Sequence, residues 1–371
     1  MTLKKLIELR HELHRHPELS GKERLTSKTL HSFLSELKPD SLTGNLGGHG
    51  IVAVFSGKAP GKTVLLRCEM DALPVSENTE LPYRSLHQGV SHKCGHDGHM
   101  AILCGVASSL SDSRPATGTV VLLFQPSEET GTGAGSTIHD LRWSPDMCFA
   151  LHNLPGFPVA SVIVRPGTFS SASAGLVVRL TGFSSHAAEP SKGLSPAKAV
   201  AALIYYFESI QGNREGVFAT VVYVNMGRNA FGTSPGNADI LVTLRAPTDI
   251  ELGTLSDSVV KRIKNIAHSE GLRYSVSWTD VFPAAVNSDL SAAIVAQSAE
   301  YLGLECIEPG NPFPWSEDFG HFTGRYSGAL FGLGAGLNTA SLHTPDYDFP
   351  DELIHPGVDL YMEVIEKALE S

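Results

Sequence analysis

The sequence predicts an α/β protein in two parts. The larger part, residues 1–167 and 280–371, is expected to hold a mixed central sheet flanked by helices on both faces; a smaller α+β domain with an antiparallel sheet is expected as an insertion at 168–279. Three observations carry this. Short apolar runs of strand length end in clusters of polar residues and alternate with helical patterns in the first part of the chain. Near Gly167, after the Arg165-Pro166-Gly167 junction, the texture changes to strands and helices in α+β order, and it changes back after Phe282-Pro283. A chain of 371 residues with 42% hydrophobic content can bury a full core, and its length favours two domains over one.

Taken in order, Leu3, Leu6, Ile7, Leu13 and His14 share one face of an opening helix that Pro17 ends, and Ser20 with Glu23 reads as a capping box starting a second helix towards Leu37. Ile51–Phe55 and Thr63–Cys68 read as buried strands, the second running into Glu69-Met70-Asp71-Ala72-Leu73-Pro74. His99–Leu110 has a helical pattern. Thr119–Gln125 is another buried strand, followed at once by Pro126-Ser127-Glu128-Glu129, and Met147–Leu151 is a further one that ends in His152. In the inserted part, Gly175–Thr181, Phe218–Asn225, Ala238–Arg245 and Arg273–Trp278 are strands, while Pro196–Gln211 and Leu252–Ser269 are helices. The larger pattern resumes with a helix at Asp289–Leu302, a strand at Gly328–Leu333 and a last helix at Asp351–Leu369.

Composition removes several classes of partner. Lys+Arg 28 against Asp+Glu 39 gives a formal charge of -11, which lacks the basic footprint of a nucleic-acid or anionic-membrane binder and leaves small molecules as the expected partners. Cys68, Cys94, Cys104, Cys148 and Cys306 are an odd, scattered set without framework spacing, so no structural disulfide is expected. The first twenty residues become charged before any apolar run of signal-peptide length, and no apolar segment is long enough to span a bilayer. These readings together place the chain in the cytoplasm.

The chemistry concentrates in His92-Lys93-Cys94-Gly95-His96-Asp97-Gly98-His99, one thiol and three imidazoles beside glycines that let the backbone come close. Thiolate and imidazole are the donors that borderline transition metals prefer. A lone Cys-x-His is as commonly a buried cysteine beside a surface histidine, so further donors have to decide. Asp71 stands where a strand ends, either as a support behind a ligand histidine or as the cap of a turn. Glu128 and Glu129 follow another apolar strand; in a non-regular turn one can face a metal and the other the substrate, which divides the pair into ligand and general base, whereas an isolated Glu-Glu is usually a solvated loop. His152 at a third strand end and His343 in Ser341-Leu342-His343-Thr344-Pro345-Asp346 complete a ligand set. Gly131-Thr132-Gly133-Ala134-Gly135 invites a dinucleotide reading, but Ser136 displaces the third fingerprint glycine and two carboxylates would repel a pyrophosphate, so close packing around the acidic turn is the reading preferred. His186, in Phe183-Ser184-Ser185-His186-Ala187-Ala188, and Arg245, at a strand end, are functional candidates that could equally be ordinary surface residues.

Together these residues resemble the N-acyl-amino-acid amidohydrolases, the branch of the dinuclear metallo-aminoacylase and carboxypeptidase superfamily that includes hippurate and auxin-conjugate hydrolases. The resemblance runs through His14-Arg15-His16-Pro17-Glu18, Met70-Asp71-Ala72-Leu73-Pro74, Cys94-Gly95-His96-Asp97-Gly98-His99, Pro126-Ser127-Glu128-Glu129, Leu151-His152-Asn153, His186-Ala187-Ala188, Glu317-Asp318-Phe319 and Leu342-His343, in order and spacing. It implies two divalent metal ions (Zn, Mn, Ni or Co) bridged by Cys94, one also held by His96 and His152, the other by Glu129 and His343. It makes Glu128 the general base and Asp71 a support. His186, on an inserted lid domain, is similar to the family histidine that steadies the tetrahedral oxyanion, in some relatives from a partner subunit, so a homodimer through that domain is a further expectation. Arg245 would pair with a substrate carboxylate. The implied substrate is an N-acyl amino acid or short peptide. Two departures stand out: where many relatives read Asn-Val-Ile-Pro this chain reads Phe231-Gly232-Thr233-Ser234-Pro235-Gly236, and Glu69 replaces a common Asp. The rival readings are a nucleotide-dependent oxidoreductase using the Gly131 region, indifferent to chelators, and a catalytically silent metal-binding or regulatory protein.

Overall fold

The computed structural model describes residues 2–211 and 215–371 and divides into two compact units: Met1–Phe169 with Ala285–Asn311 and Glu317–Ser371, and Ser170–Ala284 with Pro312–Ser316. The first unit is built on an eight-stranded sheet in the order Ser41–Leu46, Gly50–Ser56, Thr117–Gln125, Ala59–Glu69, Met147–Leu154, Ser327–Gly334, Val162–Ile163, Cys306–Ile307. The four strands from Thr117–Gln125 to Ser327–Gly334 are mutually parallel and meet antiparallel neighbours on both sides, so the sheet is mixed.

Parallel strands are covered on both faces and therefore read as continuous apolar runs. Val120-Val121-Leu122-Leu123-Phe124 is buried throughout, and its period of two assigns alternate residues to two layers. Val120, Leu122 and Phe124 join Val64, Leu66 and Phe149 in the core with the helices Leu3–Arg15, Arg24–Glu36, His96–Asp112, Asp289–Tyr301 and Ile354–Glu370. In His96–Asp112 the buried Met100, Ile102, Leu103 and Val106 each contribute about 1.5–3 kcal/mol. Arg67 and Gln125 point to the other face, where Asp318 and the short helices Gly133–Asp140 and Gly320–Thr323 lie.

The second unit is an antiparallel sheet in the order Phe218–Met226, Asn237–Ala246, Ala172–Thr181, Arg273–Phe282. Leu176, Val178 and Leu180, with Ile240, Val242 and Leu244, face the helices Ala197–Ile210 and Asp249–Ser269 through Leu203, Phe207, Val259 and Ile263. A ribbon pairs Ser185–His186 with Thr233–Ser234. Pro312–Ser316 joins this unit because the Ser171 N–H donates to the carbonyls of Phe313 and Trp315 and the Arg245 guanidinium to Pro314 O and Ser316 Oγ.

Several expectations are corrected. The capping box of Ser20 and Glu23 does not form: the second helix starts at Arg24, too far on for Ser20, and its free N–H groups at Leu25 and Thr26 are taken by Glu18 Oε2 at 2.7 and 2.8 Å. The strand Met147–Leu154 does not end at His152 but runs past it, because the parallel Ser327–Gly334 extends the ladder. The strand Ser41–Leu46 and the helix Gly133–Asp140 were not legible, being polar or glycine-rich. No helix among the described residues is long and apolar enough to cross a membrane.

Candidate metal centre and active site

Four parallel strands place their carboxyl ends at one edge of the sheet, the position where open α/β sheets bind ligands. Beyond Ala59–Glu69 stands Asp71; beyond Thr117–Gln125, Ser127 adopts φ 59°, a left-handed backbone rare outside glycine, and opens the short 3-10 turn Glu128–Thr130, which brings both glutamates to the site, 4.0 and 3.9 Å from His96 Nε2. His152 lies on the third strand. The loop after the fourth carries His343, again left-handed at φ 64°. The helix His96–Asp112 begins at the site because Gly95 takes φ 89°, and a Cβ there would sit 2.1 Å from Asn153 Oδ1.

Cys94 Sγ lies 3.4 Å from His152 Nε2 and 3.2 Å from His343 Nε2. Glu129 Oε1 is 3.6 Å from His343 Nε2 and 3.9 Å from His96 Nε2. The donor atoms of Cys94, His96 and His152 all lie within 4.8 Å of one another, and so do those of Cys94, Glu129 and His343. Cys94 is common to both groups. His96 donates its Nδ1–H to the Asp71 carbonyl at 2.8 Å and His152 its Nδ1–H to the Asn153 carbonyl at 2.9 Å, so each turns its Nε2 to the site side. The Asp71 carboxylate is 3.6 Å from His96; its Oδ2 instead accepts from Ser20 Oγ and from the Glu129 N–H, so it anchors the acidic turn.

The donor set fits divalent metal. His96 Nε2 and Glu129 Oε1 are buried without a hydrogen-bond partner, an arrangement costly unless a cation completes it. Burial, aided by Glu129, Glu128 and Glu69, pushes the Cys94 thiol well above its ordinary range, and burial with the Asp71 charge pushes Glu129 up to about 7 against the pull of His96. His96, despite burial, is raised to about 10 by the nearby Asp71 carboxylate and the charges of Glu69 and Glu129. Such protons are those that metal binding releases. Glu128 is raised well above the carboxylate range by burial and then by Glu317, Glu129 and Asp318.

Of the remaining imidazoles of the motif, His99 stands in a further donor group with Glu69 and His96. His99 donates Nδ1–H to Glu69 at 2.6 Å and accepts the Asn153 N–H at Nε2, 3.1 Å away, which occupies both ring nitrogens. His92 is buried, and burial pushes it down to about 3. Glu69 also pairs with Arg67, whose guanidinium reaches Glu317 and Asp318 as well. A charged residue in the middle of the apolar run Val64-Leu65-Leu66-Arg67-Cys68 was the signal that could have revealed this network from sequence. His186 and Arg245 stand in the second unit: His186 is exposed, its Nδ1 accepting the Ala188 N–H at 3.1 Å, and Arg245 is bonded to Pro314 and Ser316.

Thiolate, imidazole and carboxylate in two overlapping groups, with a glutamate of raised proton affinity alongside, are the equipment of the metal-dependent hydrolases of amide bonds, and that is the class the fold and site define. Known sequences narrow it. The chain belongs to Peptidase family M20/M25/M40, whose model matches residues 65–367. It is similar to the N-acetyl-L-cysteine deacetylase of Bacillus subtilis, 31% identical over 378 residues that span 99% of this chain and 89% of that one. The hippurate hydrolase of Campylobacter jejuni is 29% identical over 98% of this chain and 96% of its own. Among solved structures, the YxeP protein of Bacillus subtilis, a dinuclear metal-binding peptidase of the M20 family, superposes with a TM-score of 0.85 at 25% identity, covering 100% of this chain and 98% of that one.

Proposed function

We propose that this enzyme cleaves the amide bond of N-acyl amino acids or related amino-acid conjugates, and that Cys94, His96 and His152 would hold one divalent ion while Cys94, Glu129 and His343 would hold a second. The observation that carries the reading is the membership of Cys94 in both donor groups. The deacetylase and hydrolase relatives, each named for removing an acyl group from an amino acid, support the substrate class. When bound, ions of the Zn, Mn, Ni or Co type supply Lewis acidity towards the scissile carbonyl and bring the pKa of a water towards about 7.

The protein's own groups do the rest. Glu128, whose surroundings raise its proton affinity, takes a proton from the attacking water and delivers it to the nitrogen of the leaving amine. Asp71 keeps the acidic turn in register through the Glu129 N–H. His186 donates a hydrogen bond to the carbonyl oxygen as it becomes anionic, and Arg245 receives the substrate carboxylate. A homodimer through the second unit belongs to the same reading, supported by the edge strand Phe218–Met226, where Val222, Tyr223, Val224 and Met226 are exposed. Five free cysteines support a reducing, cytoplasmic setting.

The test is elemental analysis of the purified enzyme followed by assay of N-acetyl, N-benzoyl and indole-acyl amino acids with each metal restored. Cys94→Ala is expected to lose turnover and metal together, whereas Glu128→Gln keeps the metal and loses about 10²- to 10⁴-fold in kcat. Undiminished turnover by a chelator-stripped sample, or no amine released from any acyl amino acid, defeats the reading.

A further inference from the structure

Lys93, next to Cys94, has no exposed surface. A buried ammonium is costly unless charge and hydrogen bonds both compensate it. Its Nζ donates to Glu77 Oε1 at 2.6 Å and to the Tyr347 carbonyl at 2.7 Å. Its own carbonyl accepts the His343 N–H at 2.7 Å. One residue thus grips the 343–347 turn at its first N–H and its last C=O. Glu77 is itself fixed, accepting from His14 Nε2 at 3.0 Å, the Ser85 N–H at 2.8 Å and Thr79 Oγ1 at 2.8 Å. The far end of the turn is tied again where Asn153 Nδ2 donates to the Tyr347 hydroxyl at 2.8 Å.

His343 needs such a grip. It stands at the exposed rim in a left-handed backbone, a conformation a non-glycine keeps only when its surroundings impose it. Its Nε2 is nevertheless 3.2 Å from Cys94 Sγ. His96 and His152, by contrast, sit on a helix and a strand with buried flanks.

We propose that Lys93 is a positioning residue for one metal of the pair: its ammonium and carbonyl together hold His343 at the distance from Cys94 where imidazole and thiolate can share an ion. This rests on the ligand assignment proposed above. Loss of the grip frees the His343 turn and leaves the group of Cys94, His96 and His152 intact. The two ions then differ in sensitivity, although one thiolate serves both.

The experiment titrates metal-free protein with Co²⁺ alone, followed by thiolate-to-cobalt charge-transfer absorption and by equilibrium metal content. Lys93→Met leaves Glu77 buried without its counter-charge, so Lys93→Met with Glu77→Gln is made beside it; this double variant, which also takes a charged partner from His14, is expected to fold with a lowered melting temperature. Both variants are expected to bind the first ion as the wild type does and the second about 10- to 100-fold more weakly. Two ions bound with wild-type affinity by the double variant, or both ions weakened equally, overturn the proposal. His343→Ala separates the two levels of the argument. If it lowers uptake to one ion while the Lys93 variants keep two, the ligand assignment stands and the clamp falls; if it still takes up two, both fall.

Discussion

His14 shows how a single buried group sets a property of the whole enzyme. Its Nδ1 is 2.7 Å from Asp97 Oδ2 and its Nε2 3.0 Å from Glu77 Oε1, so both nitrogens donate and the ring is an imidazolium. Burial opposes the charge, but the Asp97 and Glu77 carboxylates outweigh it and push the group up to about 9 from 6.5. A folded-state affinity above the unfolded one stabilises fully below pH 6.5 and is lost as pH rises through about 9. At ~1.4 kcal/mol per pH unit the contribution is on the order of 3 kcal/mol. Urea unfolding is therefore expected to give a stability that falls between pH 6.5 and 9 in the wild type and stays nearly level in His14→Gln; parallel curves would show that His14 is not charged. Asp97 is the mirror case. Burial works against its charge, yet His14 and Arg10 hold it below the usual carboxylate range, so its contribution is full above that range and is lost progressively as pH falls through it and below. The sequence displayed His14 and Asp97 within motifs but said nothing of their meeting. Arg10 was not legible at all, because a helix reading counts apolar positions, and its partners Asp97, Asp348 and Asp351 lie 87, 338 and 341 residues away.

Among the elements, the turn that bears Glu128 and Glu129 depends on a contact with the short helix after it. A Cβ at Gly133 would sit 1.8 Å from the Pro126 carbonyl oxygen, a backbone atom that cannot rotate away, whereas at Gly135 the nearest atom is 3.8 Å off on the His321 ring. Gly133→Ala is expected to cost about 1–3 kcal/mol by overpacking and, by shifting the acidic turn, to lower kcat by roughly 10²-fold. Gly135→Ala should leave kcat unchanged and raise the melting temperature slightly, since alanine favours helix over glycine by about 1 kcal/mol. Equal kcat in the two variants would show that the turn is not held by this contact. The glycine-rich stretch was read as packing around the turn rather than as a phosphate cradle, and the contact at Gly133 is the physical form of that packing. Most strands and long helices were legible to within a few residues because apolar periodicity is a local signal. Ser41–Leu46 was not, since all of it but Leu46 is half-buried at best and it is a strand chiefly because Gly50–Ser56 pairs with it.

For the molecule as a whole, the edge strand Phe218–Met226 raises the question of association. Its last five residues are exposed, and all but Asn225 are large and apolar, while a bulge between Val221 and Tyr223 turns the strand there. An uncovered apolar edge invites a second copy. Sedimentation at micromolar protein is expected to show a dimer for the wild type and a monomer for Val224→Lys; a monomeric wild type would remove the dimer from the proposed function. The residue types that do chemistry, and their order, were determined by the sequence alone: thiol, imidazoles and paired glutamates stand where apolar runs stop, and both run and stop are properties of neighbouring residues. Only the tertiary structure decided which of them meet. Parallel pairing carries Asp71, Glu128, Glu129, His152 and His343 to one edge of one sheet, and burial admits Lys93, Arg67 and Arg10 there because carboxylates distant in the chain arrive to balance them. A buried charge has no local signature, since what makes it tolerable is the partner that folding delivers.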